Sequence, residues 1–216
     1  MEDTIKEGDI IIVDKVFVKI ILINRGDVIV FKNFINNYFV KRCIGKAGDL
    51  VRIVNGEVFI NEQLEKTQDG IKMNYQIETK NNVRFYETLD SLAIKSDIYP
   101  ANNNKYEGIL NSRDKMKLKN TLKVTSINRI YSSKNEDELY FNNRQQSWTS
   151  DSTGYIRVPK KGMKLSLNEN TYDYYIKTIK QFEGVDIKRK DNQYFLEGVR
   201  VKNYTFNNNY VFLNNV

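Results

Sequence analysis

Tyr38-Phe39-Val40-Lys41-Arg42-Cys43-Ile44-Gly45-Lys46-Ala47-Gly48-Asp49 sets a lysine in the middle of an apolar strand and closes that strand with a Gly-Asp turn. Side chains alternate across a strand, so Phe39, Lys41 and Cys43 share one face, and Val40, Arg42 and Ile44 the other. A lysine on such a face either snorkels to water or sits desolvated with a lowered pKa. The neighbouring stretches have the same texture. Upstream, Arg25-Gly26-Asp27 is a turn signal and Val28-Ile29-Val30-Phe31 a β-branched run. Downstream, Leu50 to Val54, Asn55-Gly56 and Glu57-Val58-Phe59-Ile60 read as a hairpin, because Asn-Gly suits the positive-φ positions of a tight turn. Asp9 to Asp14 predicts one more strand.

The middle of the chain differs. Met73 to Glu78 alternates like a strand, and apolar residues at 85, 86, 89, 92 and 93 suit a helix face. Tyr106 to Leu110 and Leu122 to Ile130 predict strands, with a short helix over Arg113 to Lys119. Ser132 to Ser152 is rich in Asn, Ser and Gln and reads as loop. The last third returns to strands: Tyr155 to Pro159, Met163 to Leu167, Val185 to Arg189, Tyr194 to Leu196, Val199 to Val201, Tyr204 to Phe206 and Tyr210 to Leu213. One helix interrupts them, capped by Asn168, with Tyr172, Tyr175, Ile176 and Ile179 on one face, and ended by Glu183-Gly184. The expectation is a mainly β fold. A coiled, barrel-like sheet core is formed by residues 1–65 and 154–216, and residues 66–153 form an α+β insertion.

Composition narrows the chemistry. The 216 residues contain no histidine and one cysteine, Cys43, so they hold no Ser-His-Asp or Cys-His site, no His/Cys zinc site and no internal disulfide. A nucleophile would need a base other than imidazole, and lysine is the main alternative. No cofactor is expected. No apolar run reaches membrane-spanning length, and Val16 to Ile23 is broken by Lys19. The net charge of +7 is spread along the chain, and the densest basic run is Lys188-Arg189-Lys190. A nucleic-acid footprint should cluster, so no nucleic-acid partner is expected.

Taken in order, Met1 to Asp9, Arg25 to Phe31 and Tyr38 to Asp49 resemble the motifs of the type I signal peptidase family. Those motifs run approximately Ser-Met-x-Pro-Thr-Leu-x-x-Gly-Asp, Arg-Gly-Asp-Val-Val-Val-Phe and Tyr-Val-Lys-Arg-x-Ile-Gly-x-x-Gly-Asp. Val158 to Gly162, the helix to Gly184 and Tyr204 to Tyr210 look like the long Bacteroidetes-type members. The resemblance implies a membrane-anchored serine endopeptidase with a Ser/Lys dyad that removes signal peptides from exported preproteins. It makes Lys41 the general base. Phe39 and Val40 would border the substrate, with Met1 and Ile5 also in the substrate site. Thr4 and Arg42 also match family positions near the site. It further implies a location at the bacterial inner membrane, the catalytic domain facing the periplasm, with the anchor helix ahead of this sequence.

Two departures stand out. The family's nucleophilic serine would fall immediately before Met1, and Asp3 takes the position usually held by proline. After Leu213 the family continues into a Gly-Asp-Asn-Arg box, whereas this sequence reads Asn214-Asn215-Val216. The chain as given is therefore expected to be truncated at both ends and inactive. Alternatives are a non-catalytic, peptide-binding relative, a self-cleaving repressor of the related Ser/Lys fold, and a basic nucleic-acid module.

Overall fold

The computed structural model describes residues 5, 8–14, 23–32, 37–65, 72–80, 84–131, 148–149 and 151–214. In chain order these form β1 (Val28–Lys32), β2 (Tyr38–Gly45), β3 (Leu50–Val54), β4 (Glu57–Ile60), β5 (Gln63–Leu64) and β6 (Met73–Thr79). Next come α1 (Phe85–Ser91), β7 (Ile98–Asn102), β8 (Lys105–Leu110), α2 (Ser112–Lys119) and β9 (Val124–Arg129). The remainder is β10 (Ile156–Arg157), β11 (Lys164–Ser166), α3 (Glu169–Glu183), β12 (Ile187–Lys190), β13 (Gln193–Leu196), β14 (Val199–Val201), β15 (Asn203–Thr205) and β16 (Phe212–Asn214). The fold is mainly β, and every strand pair is antiparallel. The expected barrel-like closure does not form: among the described residues the strands make five separate open sheets.

The chain divides into two compact units, residues 1–65 with 132–215, and residues 66–131. In the first unit, β2 is the middle strand of the sheet β1-β2-β16, and β3 lies in the sheet β10-β3-β4-β5. The β3–β4 hairpin turns on Asn55 and Gly56, at φ 51° and 72°, the left-handed conformation that Asn-Gly adopts at low cost. Its inward residues Val51, Ile53, Val58 and Ile60 join Ile156 and Val158 in one core, with Ile44, Trp148 and Phe212 packed against it. Trp148 to Thr153 belong to this unit. Thr153 donates its N–H to the Ile53 carbonyl (2.8 Å), and its hydroxyl accepts from Ile53 N (2.9 Å).

A second core forms where α3 packs on the strands around it, through Tyr175, Ile179, Leu165, Ile187, Tyr194, Tyr204 and Phe206. The helix starts in a reciprocal capping box between Asn168 and Thr171 and stops at Gly184, whose φ of 69° ends it. In the smaller unit the sheet β7-β8-β6-β9 buries Tyr75, Ile77 and Leu110 in one core with Phe85 and Leu89 of α1 and Leu118 of α2.

One local expectation is corrected. Residues 8–14 form no strand: Ile10 and Ile12 are almost fully exposed, with no sheet partner among the described residues to satisfy their backbone. β7 was not expected from the sequence: Pro100 interrupts Ile98-Tyr99 and Ala101-Asn102, and the strand forms at the sheet edge, paired with β8. The polar loop expected over 132–152 lies mostly outside the described residues.

Candidate functional site

β1 and β2 pair in register, with Ile29 opposite Lys41 and Phe31 opposite Phe39. Cross-strand partners share a face, so Lys41 stands among Ile29, Phe31, Phe39 and Cys43. The rings of Phe31 and Phe39 stack with centroids 5.9 Å apart, and Lys41 Nζ lies 6.0 Å from the Phe39 ring centre. Lys41 is half-buried, and that desolvation holds its pKa below the ordinary lysine value. Cys43, one turn of the pleat further on, is fully buried, and burial pushes its thiol up, with Asp27 and Asp49 adding to the effect. The lysine thus sits where β2 passes from exposed to buried.

The backbone of β2 changes partners at the same place. β16 runs along its second half, with Leu213 opposite Cys43 and Asn214 opposite Arg42. Cys43 makes its backbone bonds towards the β1 side, donating to Asp27 O (2.8 Å) and accepting from Gly26 N (2.7 Å). Alternation in an antiparallel ladder then turns the N–H and C=O of Tyr38, Val40 and Arg42 to the opposite edge. β16 takes the Arg42 end. Among the described residues no strand covers the edge at Tyr38 and Val40.

A polar knot fixes both ends of this hairpin. Arg25, just ahead of β1, donates Nε to Asp49 Oδ2 (3.1 Å) and Nη2 to Oδ1 (2.8 Å). Asp49, just after β2, also accepts from Lys46 N (2.7 Å) and Asn61 Nδ2 (3.0 Å). Burial pushes the Asp49 carboxyl up, but the bonds from Arg25, Lys46 and Asn61 outweigh it, and the net pKa lies below the ordinary carboxylate value. Arg42 Nη1 adds a bond to Gly26 O (2.7 Å). The recurring Gly-Asp turns of the sequence therefore have unlike roles, and only the tertiary contacts of Asp49 mark it as a junction.

Of the residues expected near a substrate, Phe39, Val40 and Lys41 lie together on β2. Ile5 lines a groove of about 560 Å³ with Ile11, Ile12, Val13, Ile23 and residues 28–30 of β1. Ile29 is common to this groove and to the cross-strand pair with Lys41, so the two places are one strand apart. Met1 and Thr4 lie outside the described residues. Phe31 and Ile29 were not singled out in the sequence, although the register of two adjacent apolar strands could have nominated them. Among the described residues no group of His, Cys, Asp and Glu could hold a metal ion, and no helix is long and apolar enough to cross a membrane.

Known proteins similar in sequence to this chain are signal peptidases. The signal peptidase I of Rickettsia bellii is 35% identical over 68 residues, covering 30% of this chain and 23% of that protein. That of Rickettsia akari is 35% identical over 85 residues, covering 35% of this chain and 32% of its own length. The signal peptidase IB of Staphylococcus aureus strain COL is 35% identical over 80 residues, covering 37% and 40%. The match thus spans less than half the length of each of these relatives. No solved structure matches the chain. The family described as "Signal peptidase, peptidase S26" matches residues 1–163, three-quarters of the sequence and all of the β1–β4 region. The chain belongs to the signal peptidase family, peptidase S26.

Proposed function

We propose that this chain carries the base and the substrate-pairing strand of a Ser/Lys endopeptidase that removes signal peptides from exported preproteins. The observation that carries the reading is Lys41, desolvated on an apolar face immediately beside a strand edge that no strand covers among the described residues. A neutral amine at Lys41 takes the proton of a serine hydroxyl as that oxygen attacks the scissile carbonyl, and then returns a proton to the leaving amine. The serine is the one that the family places directly ahead of the residue matched by Met1. A serine hydroxyl is a poor nucleophile without such a base, and these 216 residues contain no histidine to serve as one.

The substrate enters as an added β-strand. Its backbone pairs with the outward N–H and C=O groups of Tyr38 and Val40, while side chains at alternate positions enter small pockets that favour small residues at −1 and −3. Phe39 and Val40 border those positions, with Ile5 and Met1 on the far side. The working protein is anchored by an N-terminal helix in the bacterial inner membrane, its catalytic domain on the periplasmic side. No cofactor takes part.

The test uses the protein extended upstream through that serine, with a signal-peptide substrate. Lys41→Ala should reduce cleavage at least 10³-fold, within the range expected for loss of a general base, with the circular dichroism spectrum unchanged. The 216-residue chain alone should not cleave. Cleavage that survives Lys41→Ala would overturn the dyad. A parent protein that binds the peptide but never cleaves it would favour a non-catalytic relative.

A further inference from the structure

Residues 66–131 hold twelve lysines and arginines against seven acidic residues, a net charge of +5 out of the +7 of the whole chain. The excess gathers on α2 and the turn after it. Arg113, Lys115, Lys117, Lys119 and Lys123 fall within eleven residues that include one acid, Asp114. They alternate with other residues, so no basic run announces them, and the helix arranges them. At 3.6 residues per turn, Arg113 and Lys119 flank Met116 on its two sides, about 60° away around the axis. Ser112, Arg113, Met116, Lys119 and Asn120 are all exposed, whereas Leu118, on the opposite side, is buried in the core of this unit.

The other two lysines of the helix are engaged within the unit. Lys115 Nζ lies 4.7 Å from the Tyr75 ring centre. Lys117 Nζ donates to Leu92 O (3.0 Å) and pairs with Asp114 (3.6 Å), which answers the one acid. Arg113 and Lys119 have no hydrogen-bond or ion-pair partner among the described residues. Helix electrostatics accounts for Lys119, in the last turn, but not for Arg113, which stands in the first turn against the positive end of the dipole. Apolar side chains project among these charges. Met116 is 64% exposed, and Leu122, in the turn that leaves the helix, is 85% exposed.

We infer that the exposed face of α2, with the turn through Lys123, is a docking surface for an anionic phospholipid bilayer. Its cations meet headgroup phosphates, while Met116 and Leu122 enter the boundary of the acyl chains, with the long basic side chains snorkelling around that apolar centre. A soluble polyanion such as nucleic acid would take up the cations and leave both apolar side chains in water. The surface involves neither Lys41 nor the proposed anchor helix, so the inference goes beyond the peptidase reading and stands without it.

The test is sedimentation of the 216-residue chain with vesicles, of phosphatidylcholine alone or with about one-third phosphatidylglycerol, at physiological ionic strength. Binding should require the phosphatidylglycerol. Each cation contributes about five-fold at such a surface, so Arg113→Gln with Lys119→Gln should weaken binding about 25-fold. Met116→Gln with Leu122→Gln, which removes the partly inserted apolar groups, should weaken it about ten-fold. Lys188→Gln with Lys190→Gln takes the same charge from exposed positions of β12 and should leave binding within two-fold. If Arg113→Gln with Lys119→Gln does not fold, Arg113→Gln alone should show the loss at about five-fold. Equal binding to phosphatidylcholine alone would overturn the inference. So would equal losses from the α2 and β12 pairs, which would reduce the effect to net charge. Unchanged binding after Met116→Gln with Leu122→Gln would also overturn it, as would a double-stranded DNA oligomer that displaces the chain from the vesicles. Vesicle binding is read without cleavage, so its outcome is separate from that of Lys41→Ala.

Discussion

Replacing Asp49 with asparagine removes one charge and one acceptor oxygen from a side chain that satisfies four donors. Oδ1 serves Arg25 Nη2 and Asn61 Nδ2, and Oδ2 serves Arg25 Nε and Lys46 N. Whichever oxygen becomes N–H₂, two donors lose their acceptor and face another donor. Bonds to a charged group contribute about 1.5–3 kcal/mol each, and breaking a fully buried ion pair costs about 3–5 kcal/mol. The Asp49 side chain is 12% exposed but that of Arg25 is 34% exposed, so the guanidinium regains water and its share is discounted. The expected loss is about 2–3 kcal/mol. With a urea m-value of about 2 kcal/mol/M, the midpoint falls by about 1–1.5 M. Trp148, the only tryptophan, packs against the β3–β4 core, so its fluorescence follows the unit that contains the knot.

The same variant has a pH signature. The Asp49 carboxyl is held below its unfolded value, so its contribution is complete above about pH 4, where both states are ionised. It is lost as pH falls from there through the folded pKa. The stability gap between the parent and Asp49→Asn should therefore close in acid below about pH 4. A gap under about 0.5 kcal/mol at neutral pH would refute the reasoning, because it lies inside the ordinary range for surface substitutions. Strict additivity of Asp49→Asn with Arg25→Gln would also refute it, since contacting charges couple.

Further outcomes follow from the same geometry. Phe39→Ala removes the ring beside Lys41 and its stack on Phe31, so the lysine rehydrates and its pKa rises. The rise of kcat/KM with pH should then move to higher pH, and an unmoved limb would show that the ring does not tune the amine. Gly45→Ala brings a Cβ to 2.9 Å from Val51 Cγ2 and 3.1 Å from Phe212 Cβ, at the crossing of β2, β3 and β16. Overpacking of this kind costs about 1–3 kcal/mol, measurable as a lowered urea midpoint, and an unchanged midpoint would mean that β16 yields easily.

Much of the fold is legible locally. The alternation of Tyr38 to Ile44, the Asn55-Gly56 turn, and the Asn168 cap with its Gly184 stop each encode their element through short-range sterics and hydrogen bonding. Such signals carry β2, the β3–β4 hairpin and α3. Where a segment draws its stability from a distant partner, the sequence misleads. Ile10 to Val13 has strand composition without a ladder among the described residues, and β7 has a ladder although Pro100 interrupts it, because a strand is stabilised by the strand beside it.

The candidate site divides along the same line. The sequence by itself determined that these 216 residues hold no imidazole, that a lysine occupies an apolar strand, and that the ordered motifs resemble one family. Those are properties of residue identity and spacing. The tertiary structure alone decided that Ile29, Phe31 and Phe39 surround Lys41, that β16 pairs with β2 opposite Arg42 and Cys43, and that Asp49 gathers donors from Arg25, Lys46 and Asn61. Register, desolvation and the meeting of groups far apart in the chain arise only when separate strands pack, so no local pattern could have announced them.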